Sequence, residues 1–294
     1  MKIVEITYRY GGGEAAARDR PENAAAARER LDQGSRTMAA LFANLSRGTG
    51  TSQRVIPVDA RDLGLEQGDP TVPTQRPYAA VLGCSDARVP VELIFNEGPN
   101  DLFVVRVAGN GLGSEVLGSL KYAVDHLGGS LRLVVVLGHS GCGAASAAVD
   151  VFLKPEAYLS FADKHALRNI LDRLLVVVHA SAKRLAAVFG ADVVRRPGYR
   201  DALVETSIVS NAALSAYTVQ QEIGAVASDG LRAAYGVYVI AAREIWAPRG
   251  GSRDCAGLAY PPADMTGFGE FAENVVRSDR IVALLEGHSD GGSR

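Results

Sequence analysis

Two short segments of the chain carry residue types that bind metal ions. GCSDAR at positions 83–88 contains Cys84, and GHSGCG at positions 138–143 contains His139 and Cys142. Because only two residues separate His139 from Cys142, one tight turn can direct both side chains at a single point. Two thiolates and one imidazole suit zinc in a tetrahedral site, and three protein ligands leave the fourth position open. The pattern therefore indicates zinc chemistry, in which hydroxide attacks a small electrophile.

Asp86 and Arg88 follow Cys84 closely and are expected in the same pocket. A guanidinium binds a carboxylate through two parallel hydrogen bonds. Such a pair would keep Asp86 ionised and leave one of its lone pairs free to orient a water molecule. Two alternatives remain open. The pair could be a surface ion pair of little energetic value, and the two cysteines could be buried small hydrophobic residues, with His139 capping a loop.

Apolar runs precede both segments and predict strands of a parallel sheet. A strand that is apolar on both faces is typical of a parallel sheet covered by helices. Ligands and catalytic groups gather at the carboxyl ends of such strands. If the strands before Cys84 and His139 are neighbours, the three candidate ligands converge. The predicted strands cover residues 78–83, 102–107 and 131–137, and a helix over 114–127 completes a βαβ unit.

Helical periodicity predicts most of the remaining elements. The run at 234–241 predicts an antiparallel edge strand, and residues 46–77 are expected to be mostly loop. The predicted helices cover 22–45, with Gly34 as a candidate break, then 163–189 and 200–223, with short helices near 271–276 and 281–285.

We therefore expect a three-layer α/β fold, in which helices flank a central, mostly parallel β-sheet and an N-terminal helix forms an arm. The domain organisation that we predict has three parts. Residues 1–21 form a loose N-terminal arm, residues 22–247 a single α/β catalytic domain with a helical insertion at about 146–199, and residues 248–294 a C-terminal extension.

The composition excludes several classes of protein. With 47% hydrophobic and 22% charged residues, the chain of 294 residues is too apolar for a disordered protein. A net charge of −2 gives no reason to expect nucleic acid or an anionic membrane as a partner. No signal peptide is recognisable, and no apolar run approaches the roughly 20 residues of a membrane span. Three cysteines are too few for a disulfide framework, so we expect a cytoplasmic protein in which Cys255 is a free thiol.

Four sequence blocks, in order, resemble the signature of the β-class carbonic anhydrases: GCSDARVPVELIF, DLFVVRVAGN, GSLKYAVDHLG and VVVLGHSGCGA. The resemblance is dense over 78–145, weaker over 200–223 and 234–241, and not visible over 146–199 or beyond 247. It implies a homodimer or higher even homo-oligomer, in which the N-terminal helix packs on a neighbouring subunit.

The same resemblance implies a function and its residues. Cys84, His139 and Cys142 would hold Zn²⁺, and Asp86 and Arg88 would form the catalytic dyad. The implied reaction is the reversible hydration of CO2 to bicarbonate and a proton, by attack of zinc-bound hydroxide. In this family Asp86 could also move onto the zinc, which would give a closed, inactive form.

The resemblance further implies a substrate pocket, and one position in it departs from the family pattern. Family members usually carry Gln where this chain has Glu97. An amide can donate a hydrogen bond to bicarbonate, whereas an ionised carboxylate only accepts and would repel the anion. Either Glu97 is protonated there or the site differs from the common form, and we predict that Glu97 weakens bicarbonate binding. The implied pocket residues are Glu97, Val107, Ala108, Gly109 and Gly143.

Other functions remain open at this point. Some relatives of this fold hydrolyse carbonyl sulfide or carbon disulfide, and the same ligands and dyad would serve that reaction. A zinc-bearing bicarbonate sensor or assembly protein with little turnover is an alternative of another class. We set aside a dinucleotide site at the glycine-rich loop 109–113, because position 114 is Ser where that motif needs Gly.

Overall fold

The computed structural model describes residues 2–12, 19–47, 50–65, 72–224, 230–248 and 256–288. Cys255 and residues 13–18 of the predicted arm lie outside these ranges. The strands are β1 (Lys2–Gly11), β2 (Gly50–Asp59), β3 (Ala79–Gly83), β4 (Leu102–Arg106), β5 (Leu133–His139), β6 (Arg232–Val239) and β7 (Glu244–Trp246). The helices are α1 (Ala24–Arg47), α2 (Val91–Phe95), α3 (Ser114–Leu127), α4 (Gly143–Leu153), α5 (His165–Phe189), α6 (Tyr199–Gly224), α7 (Met265–Val276) and α8 (Asp279–Leu285).

The central sheet brings the two chemically active segments to one edge. Its strand order is β4-β3-β5-β6-β7, and the strands from β4 to β6 are parallel. Strands β3 and β5 are neighbours, with Gly83 paired to Leu137. Cys84 follows directly after β3, and His139 is the last residue of β5. The strands that precede Cys84 and His139 are therefore neighbours, as the convergence of the candidate ligands requires.

Successive residues of the central strands face two separate cores. In β3, Ala80 and Leu82 pack in a core with residues of α3 to α8, while Ala79 and Val81 pack in a second core with α1 and α2. Helices thus cover both faces of the sheet, and the predicted three-layer α/β fold is confirmed. None of the helices in the described ranges is both long enough and apolar enough to span a bilayer.

The edge strand differs from the prediction. We expected residues 234–241 to form an antiparallel edge, but β6 is parallel to β5, and the antiparallel edge strand is β7. The reason is the connection between the strands. Helix α6 precedes β6 and allows the crossover that parallel pairing requires, whereas a short turn at 240–243 permits only an antiparallel hairpin.

A second, two-stranded sheet lies where we expected a loose arm and a loop. Strands β1 and β2 pair in parallel from Lys2–Gly50 to Gly11–Asp59, so the predicted loose arm over 1–21 and the predicted loop over 46–77 are wrong over these residues. Helix α1 connects the two strands and forms the crossover of a βαβ unit. Ile56 and Val58 of β2 are buried. The Gly, Thr, Ser and Pro residues of β2 gave this segment the composition of a loop.

Gly34 does not interrupt helix α1 but permits a close approach to α2. A Cβ atom at this position would lie 1.9 Å from the carbonyl oxygen of Phe95. We expect Gly34→Ala to lower the free energy of unfolding by about 2–3 kcal/mol, because the backbone of α2 has to shift. Gly118→Ala in α3 is the control, since a Cβ there meets nothing within 4 Å. It should stabilise the protein by about 0.5–1 kcal/mol. Equal effects in urea unfolding would contradict this role of Gly34.

The two C-terminal helices pack into the main core. Asp264 caps α7 by accepting a hydrogen bond from the Gly267 amide, so this helix begins earlier than the predicted residue 271. Phe271 of α7 and Ile281 of α8 belong to the same buried cluster as residues of α5 and α6. The part of the predicted extension that is described therefore shares its core with the sheet.

Candidate metal centre

Three buried side chains meet at the carboxyl edge of the sheet. The Sγ atoms of Cys84 and Cys142 and a ring nitrogen of His139 all lie within 4.8 Å of one another. Strand β3 delivers Cys84, strand β5 delivers His139, and the turn after β5 brings Cys142 to the N-cap of α4. Gly141 has a φ of 63° in this turn, a conformation that favours glycine. The structure thus brings together the three residues that the sequence singled out.

The orientation of the His139 ring fits a metal ligand. Nδ1 lies 3.0 Å from the carbonyl oxygen of Ser140, to which it can donate a hydrogen bond. That bond leaves Nε2 with its lone pair, and Nε2 is buried with no hydrogen-bond partner among the described residues. Metal-bound histidines in proteins are held in this way, with the second ring nitrogen donating to a carbonyl or carboxylate.

Backbone amides surround the two sulfurs. The Gly109 amide donates to Sγ of Cys84 over 3.3 Å. The Cys142 thiol lowers the pKa of Cys84 well below its ordinary value, and His139 and the Gly109 amide lower it further, against the effect of burial. Cys84 and then burial raise the pKa of Cys142, which the amides of Ala145 and Ala144 at the start of α4 oppose. Of the two sulfurs, only Cys84 is thus favoured as a thiolate, and a divalent cation would have to displace the proton of Cys142 on binding.

Asp86 and Arg88 form a bidentate pair beside these ligands. Arg88 donates from Nε to Oδ1 over 3.0 Å and from Nη2 to Oδ2 over 2.7 Å. Oδ2 of Asp86 also lies 3.8 Å from Nε2 of His139. The hydrogen bonds from Arg88 hold the pKa of Asp86 well below its ordinary value. Asp86 is therefore an ionised carboxylate, locked in orientation by Arg88, at the edge of the cluster.

Three residues that position the site were missed from the sequence. Arg106, at the end of β4, donates from Nε to the Cys84 carbonyl over 2.9 Å and from Nη2 to the Asp86 carbonyl over 2.6 Å. Asn211 donates to the Gly109 carbonyl over 3.1 Å, and Glu205 accepts from the Gly141 amide over 2.8 Å. Glu205 and Asn211 are buried polar residues of α6. In the predicted helix over 200–223, Glu205 lies four residues before the apolar Val209 and so shares a helix face with it, which was the only sign in the sequence that Glu205 is buried.

Glu205 also connects the C-terminal helix to the metal-binding turn. Its second oxygen accepts a hydrogen bond from Nη2 of Arg280 over 2.7 Å, and both side chains are nearly buried. We expect Arg280→Met to lower the free energy of unfolding by about 2–4 kcal/mol, because it leaves the Glu205 carboxylate buried without its cation. The altered turn should weaken zinc binding about tenfold. Urea unfolding and zinc titration against a chelator measure the two effects.

A neighbouring pair provides the control for Arg280. Arg277 and Glu273 are half-exposed and contact each other over 2.9 Å. Arg277→Met should change the stability by less than about 1 kcal/mol and leave zinc affinity unaltered. If both variants behave alike, Glu205 does not depend on Arg280.

The comparisons with known proteins decide the family. A family model described as carbonic anhydrase matches residues 79–225, which is half of the chain. The chain belongs to the β-class carbonic anhydrase family. The match also runs through residues 146–199, so the likeness to the family extends further than the four sequence blocks indicated. Whether this segment is an insertion stays a prediction.

The curated relatives match over part of their length. A carbonic anhydrase of Mycolicibacterium smegmatis is 40% identical over 111 residues, which are 38% of this chain and 50% of the relative. Carbonic anhydrase 2 of Mycobacterium tuberculosis is 52% identical over 75 residues, which are 26% of this chain and 35% of the relative. The matched part of the chain therefore spans half or less of these relatives.

Solved structures of the same family show a more distant likeness. One of two tetrameric β-carbonic anhydrases of Sordaria macrospora is 24% identical, with a TM-score of 0.45, and covers 58% of this chain and 80% of that one. The β-carbonic anhydrase CcaA is 23% identical, with a TM-score of 0.44, and covers 60% of this chain and 82% of that one.

The predicted pocket residues of this chain lie in two places. Gly109 is buried against Cys84 with a φ of 68°, and a Cβ there would lie 3.1 Å from the Cβ of Ala144. Val107 and Ala108 precede it and are partly exposed, and Gly143 is an exposed first residue of α4. Glu97 instead contacts Arg30 and Tyr78. The role of the predicted pocket residues in binding substrate stays a prediction.

Glu97 forms a buried ion pair with the N-terminal helix. Arg30 of α1 donates from Nε to Oε1 over 2.9 Å and from Nη2 to Oε2 over 2.6 Å. The Tyr78 hydroxyl donates to Oε1 over 2.8 Å. Burial lowers the pKa of Arg30, but the Glu97 carboxylate outweighs this effect and raises it. Of the two expectations for Glu97, these contacts favour a site that differs from the common form.

We expect Glu97→Gln to lower the free energy of unfolding by about 2–4 kcal/mol, because Arg30 loses the nearer of its two buried counter-ions among the described residues and keeps only Asp101, at 3.5 Å. The exposed fractions of the two side chains are 17% for Arg30 and 1% for Glu97. Glu29→Gln is the control on the same helix, since Glu29 pairs with Arg36 at 65% and 49% exposure. It should cost less than about 1 kcal/mol. A Glu97→Gln variant as stable as the wild type in urea would show that the pair is not structural.

Proposed function

We propose that this chain catalyses the reversible hydration of CO2 to bicarbonate and a proton, with zinc held by Cys84, His139 and Cys142. The observation that carries the proposal is the buried cluster of two sulfurs and one imidazole, with the ionised Asp86 carboxylate 3.8 Å from His139. Membership of the carbonic anhydrase family supports it.

The donor set fits zinc in a catalytic site. Two thiolates and one imidazole are the ligands of a known class of catalytic zinc sites, in which the fourth position is open to water. The lone pair of His139 Nε2, which no described residue binds, suits this role. When zinc is bound, it lowers the pKa of water to about 7 and so makes hydroxide available at neutral pH.

The chain's own residues orient the reactants. Ionised Asp86 can only accept a hydrogen bond, so it fixes the proton of a hydroxide and turns the oxygen lone pair towards CO2. Arg88 holds the carboxylate in this orientation through two hydrogen bonds. Arg88 Nη2 also lies 3.5 Å from the Gly141 carbonyl, which connects the dyad to the metal-binding turn. In this arrangement Asp86 is paired with Arg88, so we infer the active form and not the closed form in which Asp86 moves onto the zinc.

Stopped-flow CO2 hydration on the zinc-loaded protein tests the proposal. We expect turnover that rises with pH through the neutral range, as the hydroxide form becomes available. Carbonyl sulfide and carbon disulfide are the competing substrates in the same experiment. Faster turnover of either sulfur compound would overturn CO2 as the substrate. Full zinc loading without turnover of any of the three would favour a bicarbonate sensor.

We also infer an even-numbered homo-oligomer, whose interface lies outside the buried stripe of α1. Ala27, Leu31 and Met38 of this stripe are covered within the chain. The outer strand β4 keeps four partly exposed residues at the sheet edge, which leaves a surface for a partner. Light scattering on the purified protein gives the subunit number, and a monomer at micromolar concentration would contradict the inference. The cytoplasmic location stays a prediction.

A further inference from the structure

A cavity of about 580 Å³ lies between helices α5, α6 and α7. Its volume is within the range of small-molecule sites. Neither the three candidate zinc ligands nor the Asp86–Arg88 dyad lines it. The cavity is therefore separate from the site proposed for CO2.

The walls of this cavity are mainly apolar. Val177 of α5, Leu214 of α6 and Phe268 of α7 line it, and Met265 stands at 71% exposure beside them. An apolar side chain that is left in contact with water loses the favourable free energy of burial. The walls thus suit the apolar body of a ligand.

Two buried hydroxyl groups line the same cavity. Ser181 and Thr206 are 3% and 2% exposed, and their hydroxyl oxygens have no hydrogen-bond partner among the residues that the structure describes. The neighbouring Ser207 hydroxyl, by contrast, donates to the Leu203 carbonyl over 2.7 Å. An unsatisfied buried polar group costs about 1–3 kcal/mol. These two hydroxyls therefore indicate a ligand that offers hydrogen-bond acceptors.

The charged side chains that line the cavity are both cations. Lys183 and Arg184 line it, and neither forms an ion pair within the described ranges. Ser181 and Arg184 are three positions apart on α5, so they lie on the same face of the helix. One end of the ligand should consequently be an anion, held by a guanidinium and a hydroxyl.

We propose that this cavity binds a small amphipathic carboxylate, with an aliphatic chain of about ten carbons against the apolar walls. Its carboxylate accepts hydrogen bonds from Ser181 and Thr206 and pairs with Arg184. This site is independent of the CO2 site, so either assignment can fail without the other.

Calorimetric titration of the full chain with decanoate tests the proposal, and decanol is the neutral comparison. We expect saturable binding of one decanoate per chain. Ala180→Trp, at an exposed position that lines the cavity, should weaken it at least about tenfold by filling the space. Ala166→Trp, at an exposed position on the same helix that does not line the cavity, should leave the affinity within about twofold. Circular dichroism establishes that both variants are folded.

Arg184→Gln separates the charge from the apolar contacts. It should weaken decanoate about fivefold to tenfold and decanol less than twofold. Equal loss for the two ligands would overturn the assignment of an anionic head. No saturable decanoate binding by the wild type, or equal affinity in Ala180→Trp, would overturn the site itself. A change of subunit number in Ala180→Trp without decanoate binding would show that a second copy of the chain covers the cavity.

Discussion

Cys142→Ser should lose zinc and CO2 hydration together. The hydroxyl of serine is hard and protonated at neutral pH, whereas the site needs a second thiolate. Changes to residues that only support ligands reduce metal affinity about 10-fold to 100-fold, so removal of a ligand should exceed this range. We expect zinc content after dialysis to fall to a small fraction of the wild-type value. Elemental analysis and stopped-flow hydration on the same sample measure both quantities.

Cys255→Ser is the matched control for this variant. It makes the same chemical change at the third cysteine of the chain. It should keep wild-type zinc content and turnover, since its sequence position offers no ligand at metal-binding spacing. Retention of stoichiometric zinc by Cys142→Ser, or loss of zinc from both variants, would contradict the assignment of Cys142 as a ligand.

Asp86→Asn should separate turnover from zinc binding. An asparagine cannot form the charged bidentate pair with Arg88, and its amide presents a donor where the carboxylate only accepts. We expect kcat to fall about 10²-fold to 10³-fold, the range for loss of a positioned acid–base group. Zinc content should stay at the wild-type level, because Asp86 is paired with Arg88 in the structure. Kinetics at saturating CO2, with zinc measured on the same sample, test this expectation.

Arg88→Lys should reduce turnover by a smaller factor than Asp86→Asn. Lysine keeps the positive charge but not the planar fork that binds Asp86 at two points. We expect a loss of turnover of about tenfold, between the wild type and Asp86→Asn. If Asp86→Asn retains kcat within about twofold of the wild type, Asp86 does not orient the nucleophile.

The parts of the fold that could be predicted are those with a strong local pattern. The continuous apolar run of β5 and the helical periodicity of α3 and α5 fix these elements to within about two residues at each end. Strand β1 does carry a strand pattern, because apolar residues at 4, 6, 8 and 10 alternate with polar ones, and the prediction of a loose arm overlooked it. Its partner β2 was missed because it contains turn-forming residues. Strand β7 was missed because it has three residues, too few for any periodicity.

In the candidate site, too, the proximity of residues close in sequence could be predicted, whereas contacts between distant residues could not. Cys84, Asp86 and Arg88 lie within one short segment, so their proximity could be predicted from the chain itself. The contact of Glu205 with Gly141 joins residues 64 positions apart, and it depends on how α6 packs on the sheet. Arg30 and Glu97 are 67 positions apart, and only the packing of α1 brings them together. Such contacts depend on tertiary structure, which spacing in one sequence does not contain.

Zinc K-edge X-ray absorption on the purified protein tests the central claim most directly. We expect a four-coordinate zinc with two sulfurs at about 2.3 Å and one imidazole nitrogen at about 2.0–2.1 Å. The fourth neighbour should be a light atom. A zinc ion with fewer than two sulfur neighbours, or a folded protein that takes up no zinc, would contradict the proposal that Cys84, His139 and Cys142 form the metal centre.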